Sequence, residues 1–143
     1  MGLDVGSKTI GVAISDELGL TAQGLTTVRR SNLKADLAGL EAIAAEHRVD
    51  RLVVGLPLNM NGTEGPRAAE SRKLGEAAAK ALELPVEYWD ERLSTVAAER
   101  VLIEADLSRK KRRGVIDQVA ASIILQGWLD ARRPGANDYD PEP

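Results

Sequence analysis

Two short apolar runs open the chain, separated by a tight break: "GLDVGSKTIGVAISD", residues 2–16. Leu3–Val5 and Ile10–Ser15 are rich in strand-forming residues, and "GSKT" between them has hairpin-turn chemistry, so an antiparallel pair is expected. "GLTTVRR", Gly24–Arg30, follows closely enough to be a third strand of the same meander. The pattern then changes period. After Asn32, a good helix N-cap, the residues Leu33, Leu37, Leu40, Ile43 and Ala44 recur at helical spacing. "RLVVGLP", Arg51–Pro57, is a continuous apolar run of the kind a central strand covered on both faces requires.

A polar loop, "LNMNGTEGP", leads into an Ala-rich helical segment from about Arg67 to Leu82, and "PVEYWDE" gives a fifth strand, Val86–Glu91. Ser94 or Thr95 caps a third helix running to about Ala105, Asp106–Gly114 reads as a basic connection, and Val115–Arg132 as the last helix. Residues 134–143, "PGANDYDPEP", have the composition of a disordered tail. The order βββ-α-β-α-β-α-α predicts one domain over residues 1–133. Strands separated by helices should run parallel through right-handed crossovers, giving a mixed five-stranded α/β sheet, three antiparallel strands then two parallel, with helices on both faces.

Composition narrows the chemistry. The 143 residues are 43% hydrophobic and 29% charged, a globular balance with enough chain for a real core. No apolar run approaches the ~18 residues of a membrane span, so no membrane partner is expected. Met1 leads straight into the first strand, which leaves no room for a secretory signal, and a cytoplasmic location is the expectation. Cysteine is absent, which excludes disulfides and thiol nucleophiles. The single histidine, His47, closes an amphipathic segment, so neither a Ser-His-Asp triad nor a histidine zinc site is expected. The net charge of −3 argues against an overall basic coat, although nucleic-acid contacts need only local cations.

The acids carry the candidate chemistry. Asp4 sits inside the first apolar run, where burying a charge costs several kcal/mol unless something pairs with it; it serves either the turn or a bound cation. Asp90 and Glu91 fall at the carboxyl end of the last strand, the edge where α/β sheets bind ligands, and strand alternation sends them to opposite sides. Asp117 opens the last helix. With Ile116, Val119, Ala120, Ile123 and Ile124 as the buried stripe, it flanks that stripe together with Ala121, Ile124 and Trp128. Each acid has an ordinary structural alternative: a turn, a helix dipole or Arg113 for Asp117, and Arg92 for Glu91. Jointly they suit Mg²⁺ or Mn²⁺, hard cations that prefer carboxylate oxygens. Two such ions ~4 Å apart activate a water and stabilise a leaving oxygen. The metal candidates are therefore Asp4, Asp117 and one of the pair Asp90 and Glu91.

Phosphate-binding candidates surround these acids. "SRKKRRG" places an unbroken run of cations, Arg109, Lys110, Lys111, Arg112 and Arg113, just before Asp117. "NMNGTEG" offers backbone amides and the side chains of Asn59, Asn61 and Thr63 as neutral donors, and Lys8 and Arg92 add charge. Such contacts position a backbone without reading its sequence.

The segments "LDVGSKTIGVAISD", "VVGLPLNMNGTEGPRA", "WDERLSTVAAE" and "DQVAASIIL" together resemble the YqgF family, pre-16S rRNA nucleases and Holliday-junction-resolvase-like proteins of the ribonuclease H-like superfamily. The resemblance covers most of residues 3–125 in the family's order. It implies a ribonuclease H-like fold and a metal-dependent nuclease with catalytic acids at Asp4, Glu91 and Asp117. The implied activity is maturation of the 5′ end of pre-16S rRNA, with cleavage of branched or single-stranded DNA as the alternative. One departure is Asn61, where the family's loop carries an Asp. A nucleic-acid-binding protein without catalysis is the rival from another class. An actin-like ATPase is disfavoured because it needs two such domains. The resemblance leaves monomer and homodimer both open, a four-way junction requiring two matched sites.

Overall fold

The computed structural model describes residues 1–96, Glu99 and 109–132, with the side chains of 109–114 left aside. The strands are β1 (Gly2–Val5), β2 (Thr9–Ser15), β3 (Ala22–Arg29), β4 (Leu52–Leu56) and β5 (Val86–Asp90). Among the described residues the helices with both ends defined are α1 (Leu33–Glu46), α2 (Pro66–Leu82) and α3 (Arg109–Arg132), and a 3₁₀ turn, Glu91–Leu93, follows β5. The sheet order is β3-β2-β1-β4-β5. β1, β2 and β3 are antiparallel, and β4 and β5 run parallel to β1. This is the mixed sheet the hydrophobic pattern predicts, and β1 lies at its centre.

Strand alternation divides the core into two layers. Leu3, Val5, Ile10, Val12, Leu52 and Val54 face α1 and α2 and pack with Leu40, Ala44, Leu74 and Ala78. On the other face Ala13 and Val53 meet Ala120, Ala121, Ile124, Leu125 and Leu129 of α3. That second face is built from small residues. A methyl at Gly2 would stand 2.8 Å from Leu125 Cβ, one at Gly24 would stand 2.9 Å from Gln118 Cβ, and one at Gly11 only 2.1 Å from the Asp117 carbonyl oxygen. Glycines on three adjacent strands thus let α3 lie nearly on the sheet backbone.

Three expectations change. The last helix begins at Arg109, so the cation run lies in its first turns and not in a connection. Lys and Arg are good helix formers, and the one Gly in the segment costs only about 1 kcal/mol, with no Pro to stop the helix. The buried stripe is Ala120, Ala121, Ile124, Leu125 and Leu129, rotated from the expected one; Ile116, Val119 and Ile123 are only half-buried. The glycine floor attracts the face carrying Asp117 and Ala121. Finally, β5 ends at Asp90 and Glu91 starts the 3₁₀ turn. Of the helix expected from Ser94 or Thr95 to Ala105, Val96 and Glu99 are helical and Glu99 N–H donates to Thr95 O. Its remainder and the tail at 134–143 lie outside the described residues.

Candidate active site

Asp4 is buried, with 5% of its surface exposed. Alternation along β1 sends Leu3 and Val5 toward α1 and α2, and therefore Gly2 and Asp4 toward α3. Across the antiparallel pair Asp4 stands opposite Gly11. On its other side the parallel register Gly2↔Val53, Leu3↔Val54 runs on toward Asp4 and Gly55. The central carboxylate is thus flanked by a glycine on each neighbouring strand. Neither flank is empty. Above Gly11 lies α3 at Asp117, and above Gly55 a methyl would meet Glu91 Oε2 at 3.0 Å and Ile124 Cδ1 at 2.4 Å. Asp117, Asp4 and Glu91 therefore share one face of the sheet, over three adjacent strands, at the carboxyl end of β1.

Each acid is set in place by a different device. The β1–β2 turn is closed by Gly6 N–H donating to Thr9 O at 2.8 Å. Thr9, the first residue after it, donates its hydroxyl to Asp117 Oδ2 at 2.6 Å. This bond spans 108 positions of sequence and ties the last helix to the first hairpin. Arg30 holds the same turn from below: it donates to Gly6 O at 3.0 Å and to the buried Asp36 at 3.2 Å, whose other oxygen accepts from Ser31 N–H. Thr9, Arg30 and Asp36 were not among the expected site residues. Asp36 carried the one available signal, an acid in a first helical turn, which local reading assigns to the helix dipole.

Asp90 and Glu91 separate as alternation predicts, and the helix turn enlarges the difference. Asp90 caps the 3₁₀ turn through Arg92 N–H and also takes Arg92 Nε and one terminal guanidinium nitrogen at 2.8 Å. The Arg92 guanidinium holds the Asp90 carboxyl below the usual carboxylate range. Arg92 in turn donates to Met60 O at 3.1 Å and lies against Gly62. It therefore fixes the β4–α2 loop to the end of β5. That loop also braces itself: Asn59 Nδ2 donates to Thr63 Oγ1, which donates to Asn61 Oδ1, and Asn59 N–H donates to Thr63 O. Arg92, Asn59, Asn61 and Thr63 are thus brought together as one braced, exposed loop beside Glu91.

Lys8 is exposed on the β1–β2 turn. Of the cation run Arg109–Arg113, the backbone is helical and leads into Asp117. Among the described residues no group of three or more acidic, histidine or cysteine side chains is close enough to form a ready-made metal cluster. The donor chemistry nevertheless suits a hard cation: oxygen ligands only, around a buried central carboxylate.

A five-stranded mixed sheet of order β3-β2-β1-β4-β5 with helices on both faces is a ribonuclease H-like α/β fold. Solved structures of similar fold include Thermus thermophilus RuvC in complex with a Holliday junction substrate (TM-score 0.53, 18% identity, 92% of each chain). Thermus thermophilus RuvC alone is similar too, with a TM-score of 0.50 at 14% identity. The chain belongs to the RuvX family, described as Holliday junction resolvase, whose model matches residues 1–131. Its relatives include a Myxococcus xanthus protein, 67% identical over 99% of this chain and 94% of the relative. Others come from Symbiobacterium thermophilum, 65% identical over 92% of this chain and 91% of the relative, and Moorella thermoacetica, 63% over 91% and 93%. All three carry the name "Putative pre-16S rRNA nuclease". The family expected from the four sequence segments is thereby found.

Proposed function

We propose that this chain is a divalent-metal-dependent nuclease that hydrolyses phosphodiester bonds in pre-16S rRNA, maturing its 5′ end. The observation that carries the reading is the gathering of Asp4, Glu91 and Asp117 on one face of the sheet, with glycines flanking the central acid. The names of its relatives support the substrate.

Asp4, Glu91 and Asp117 would hold Mg²⁺ or Mn²⁺. Such an ion, when bound, supplies an acidified water and neutralises charge on the phosphoryl oxygens. The chain's own residues do the rest. Buried Asp4 presents its carboxyl group at the end of the central strand. Thr9 orients the Asp117 carboxylate through its hydroxyl, and Arg30 keeps the turn beneath it from shifting. Asp90 serves the loop through Arg92 and leaves the face to Glu91. The cations at 109–113 and Lys8 hold the substrate backbone, and neutral donors of the Asn59–Thr63 loop add contacts that carry no sequence preference. A nuclease acting on pre-16S rRNA would work in the cytoplasm.

The family's description favours a second reading, resolution of a four-way DNA junction, which requires a homodimer with two matched sites. Purified protein incubated with precursor rRNA ends, linear single-stranded DNA and a four-way junction, each with Mg²⁺ or Mn²⁺ and with chelator, separates the two. Metal-dependent trimming of the rRNA end supports the proposal. Paired symmetric nicks on the junction alone support the second reading. No cleavage under any of these conditions leaves a non-catalytic binding protein and overturns both.

A further inference from the structure

A groove of about 1530 Å³ runs along the sheet edge from Asp117 to the starts of α1 and α2. Its walls carry Lys8 on the β1–β2 turn, Arg29 and Arg30 at the end of β3, and Arg67 in the first turn of α2. The acids on the same walls are Asp36, Glu70 and Asp117. Arg30 and Asp36 neutralise each other inside the wall. That leaves Lys8, Arg29 and Arg67, all exposed, against Glu70, with Asp117 at the end nearest the proposed metal site.

The pairing of the other arginines makes this cluster informative. Arg30, Arg51, Arg72, Arg92 and Arg132 each hold a carboxylate. Among the described side chains, Arg29, Arg48 and Arg67 form no ion pair, and two of these three face the same groove. Leaving guanidinium groups without acid partners in a chain of net charge −3 keeps them available for an outside anion. Guanidinium groups suit phosphate because their planar fork donates two hydrogen bonds at once.

We infer that this groove carries the sugar–phosphate backbone of the substrate strand away from the cleavage point, with Lys8, Arg29 and Arg67 each meeting a phosphate. The inference rests on the nuclease reading and adds a second arm to the substrate path. The cation run at 109–113 holds one side of the cleavage point, and the groove holds the flanking segment. Because all three contacts are to phosphate, the groove selects for a backbone of suitable shape and not for base identity.

The test is fluorescence anisotropy in EDTA, where cleavage does not interfere, with a labelled single-stranded RNA and a labelled four-way DNA junction across a NaCl series. Each phosphate contact contributes about −0.9 (duplex) or −0.7 (single strand) to the slope of log K against log salt. Changing Lys8, Arg29 and Arg67 together to Gln should flatten the slope by roughly two to three units and weaken binding at ~0.1 M salt about 100-fold or more. Arg48→Gln, at an exposed arginine outside the groove, shows what the loss of one cation elsewhere on the surface does and should leave the slope as it is. A loss on the RNA alone, or on the junction alone, also supports the inference and says which backbone fills the groove. If wild type binds with a steep slope and the triple variant keeps it, or if Arg48→Gln flattens it equally, the groove assignment falls while the nuclease reading stands. If wild type binds neither probe, the nuclease reading itself is overturned. Thermal melting by circular dichroism checks that the variants are folded.

Discussion

Replacing Gly11 by Ala tests how closely the last helix must approach the sheet for the site to exist. The added methyl would lie 2.1 Å from the Asp117 carbonyl oxygen, 2.5 Å from its carbonyl carbon and 3.0 Å from its Cβ. Ordinary contact between carbons is about 3.5–4.0 Å, so strand and helix must part by more than ~1 Å. Two of these atoms are backbone and no rotamer change relieves them, which puts the cost in the upper part of the usual overpacking range, about 2–3 kcal/mol. Removing a glycine returns roughly 0.5–1 kcal/mol through the unfolded chain. The net destabilisation is then about 1–2.5 kcal/mol, or a fall in Tm of roughly 4–10 °C for a domain of this size. Gly39 supplies the control. It lies in α1, a methyl there meets only Val28 Cγ1 at 3.8 Å, and Gly39→Ala should stabilise by about 0.5–1 kcal/mol. Urea unfolding followed by circular dichroism gives both numbers. Cleavage by the Gly11 variant should also drop more than its folded fraction does, because Asp117 moves away from Thr9. A Gly11→Ala protein as stable as wild type, or stabilised like the Gly39 variant, would refute the close approach from which this site is built.

The acids at the end of β5 should differ in kind. Glu91→Gln should remove cleavage with little loss of stability, whereas Asp90→Asn should act milder on kcat and loosen the Asn59–Thr63 loop, seen as faster amide exchange there; the reverse order on kcat would mean the wrong acid is assigned to the metal. Since Arg92 depresses the folded pKa of Asp90, its stabilisation is fully present above the ordinary carboxylate pKa near 4 and is lost as pH falls through the depressed value. Unfolding free energy measured below about pH 4 should therefore fall less steeply for Asp90→Asn than for wild type, and parallel curves would remove Arg92 as the cause. Changing Lys110, Lys111 and Arg112 to Gln should flatten the salt dependence of nucleic-acid binding by about two to three units if all three touch phosphates, and an unchanged slope would return that run to a solvated helix end.

The five strands and their mixed directions were legible from short apolar runs and the helical segments between them, and period-two alternation leaves little choice of face: Leu3 and Val5 must face one way and Asp4 the other. Asp4 and Asp117 stood out as candidates because an acid inside or beside an apolar pattern is costly without a reason, and Glu91 was singled out from Asp90 by the family resemblance. Partnerships across distant segments were not. Nothing near Thr9 in the sequence announces Asp117, and the pair exists only because the glycine floor lets α3 reach β2. Gly11 and Gly55 illustrate the same gap. A glycine in a strand pattern signals close backbone approach without saying what approaches. The start of α3 was misplaced because a run of cations suggests a solvated connection, although Lys and Arg favour helix once neighbouring turns are packed.

The most direct test of the metal assignment is Mn²⁺ binding followed by electron paramagnetic resonance, alongside single-turnover cleavage of the same preparations. Wild type should bind Mn²⁺ and cleave. Asp4→Asn, Glu91→Gln and Asp117→Asn should each weaken Mn²⁺ binding and abolish cleavage while melting as folded proteins. Full Mn²⁺ affinity and near-wild-type turnover in any one of the three would contradict its place in the site, and in all three would contradict the site itself.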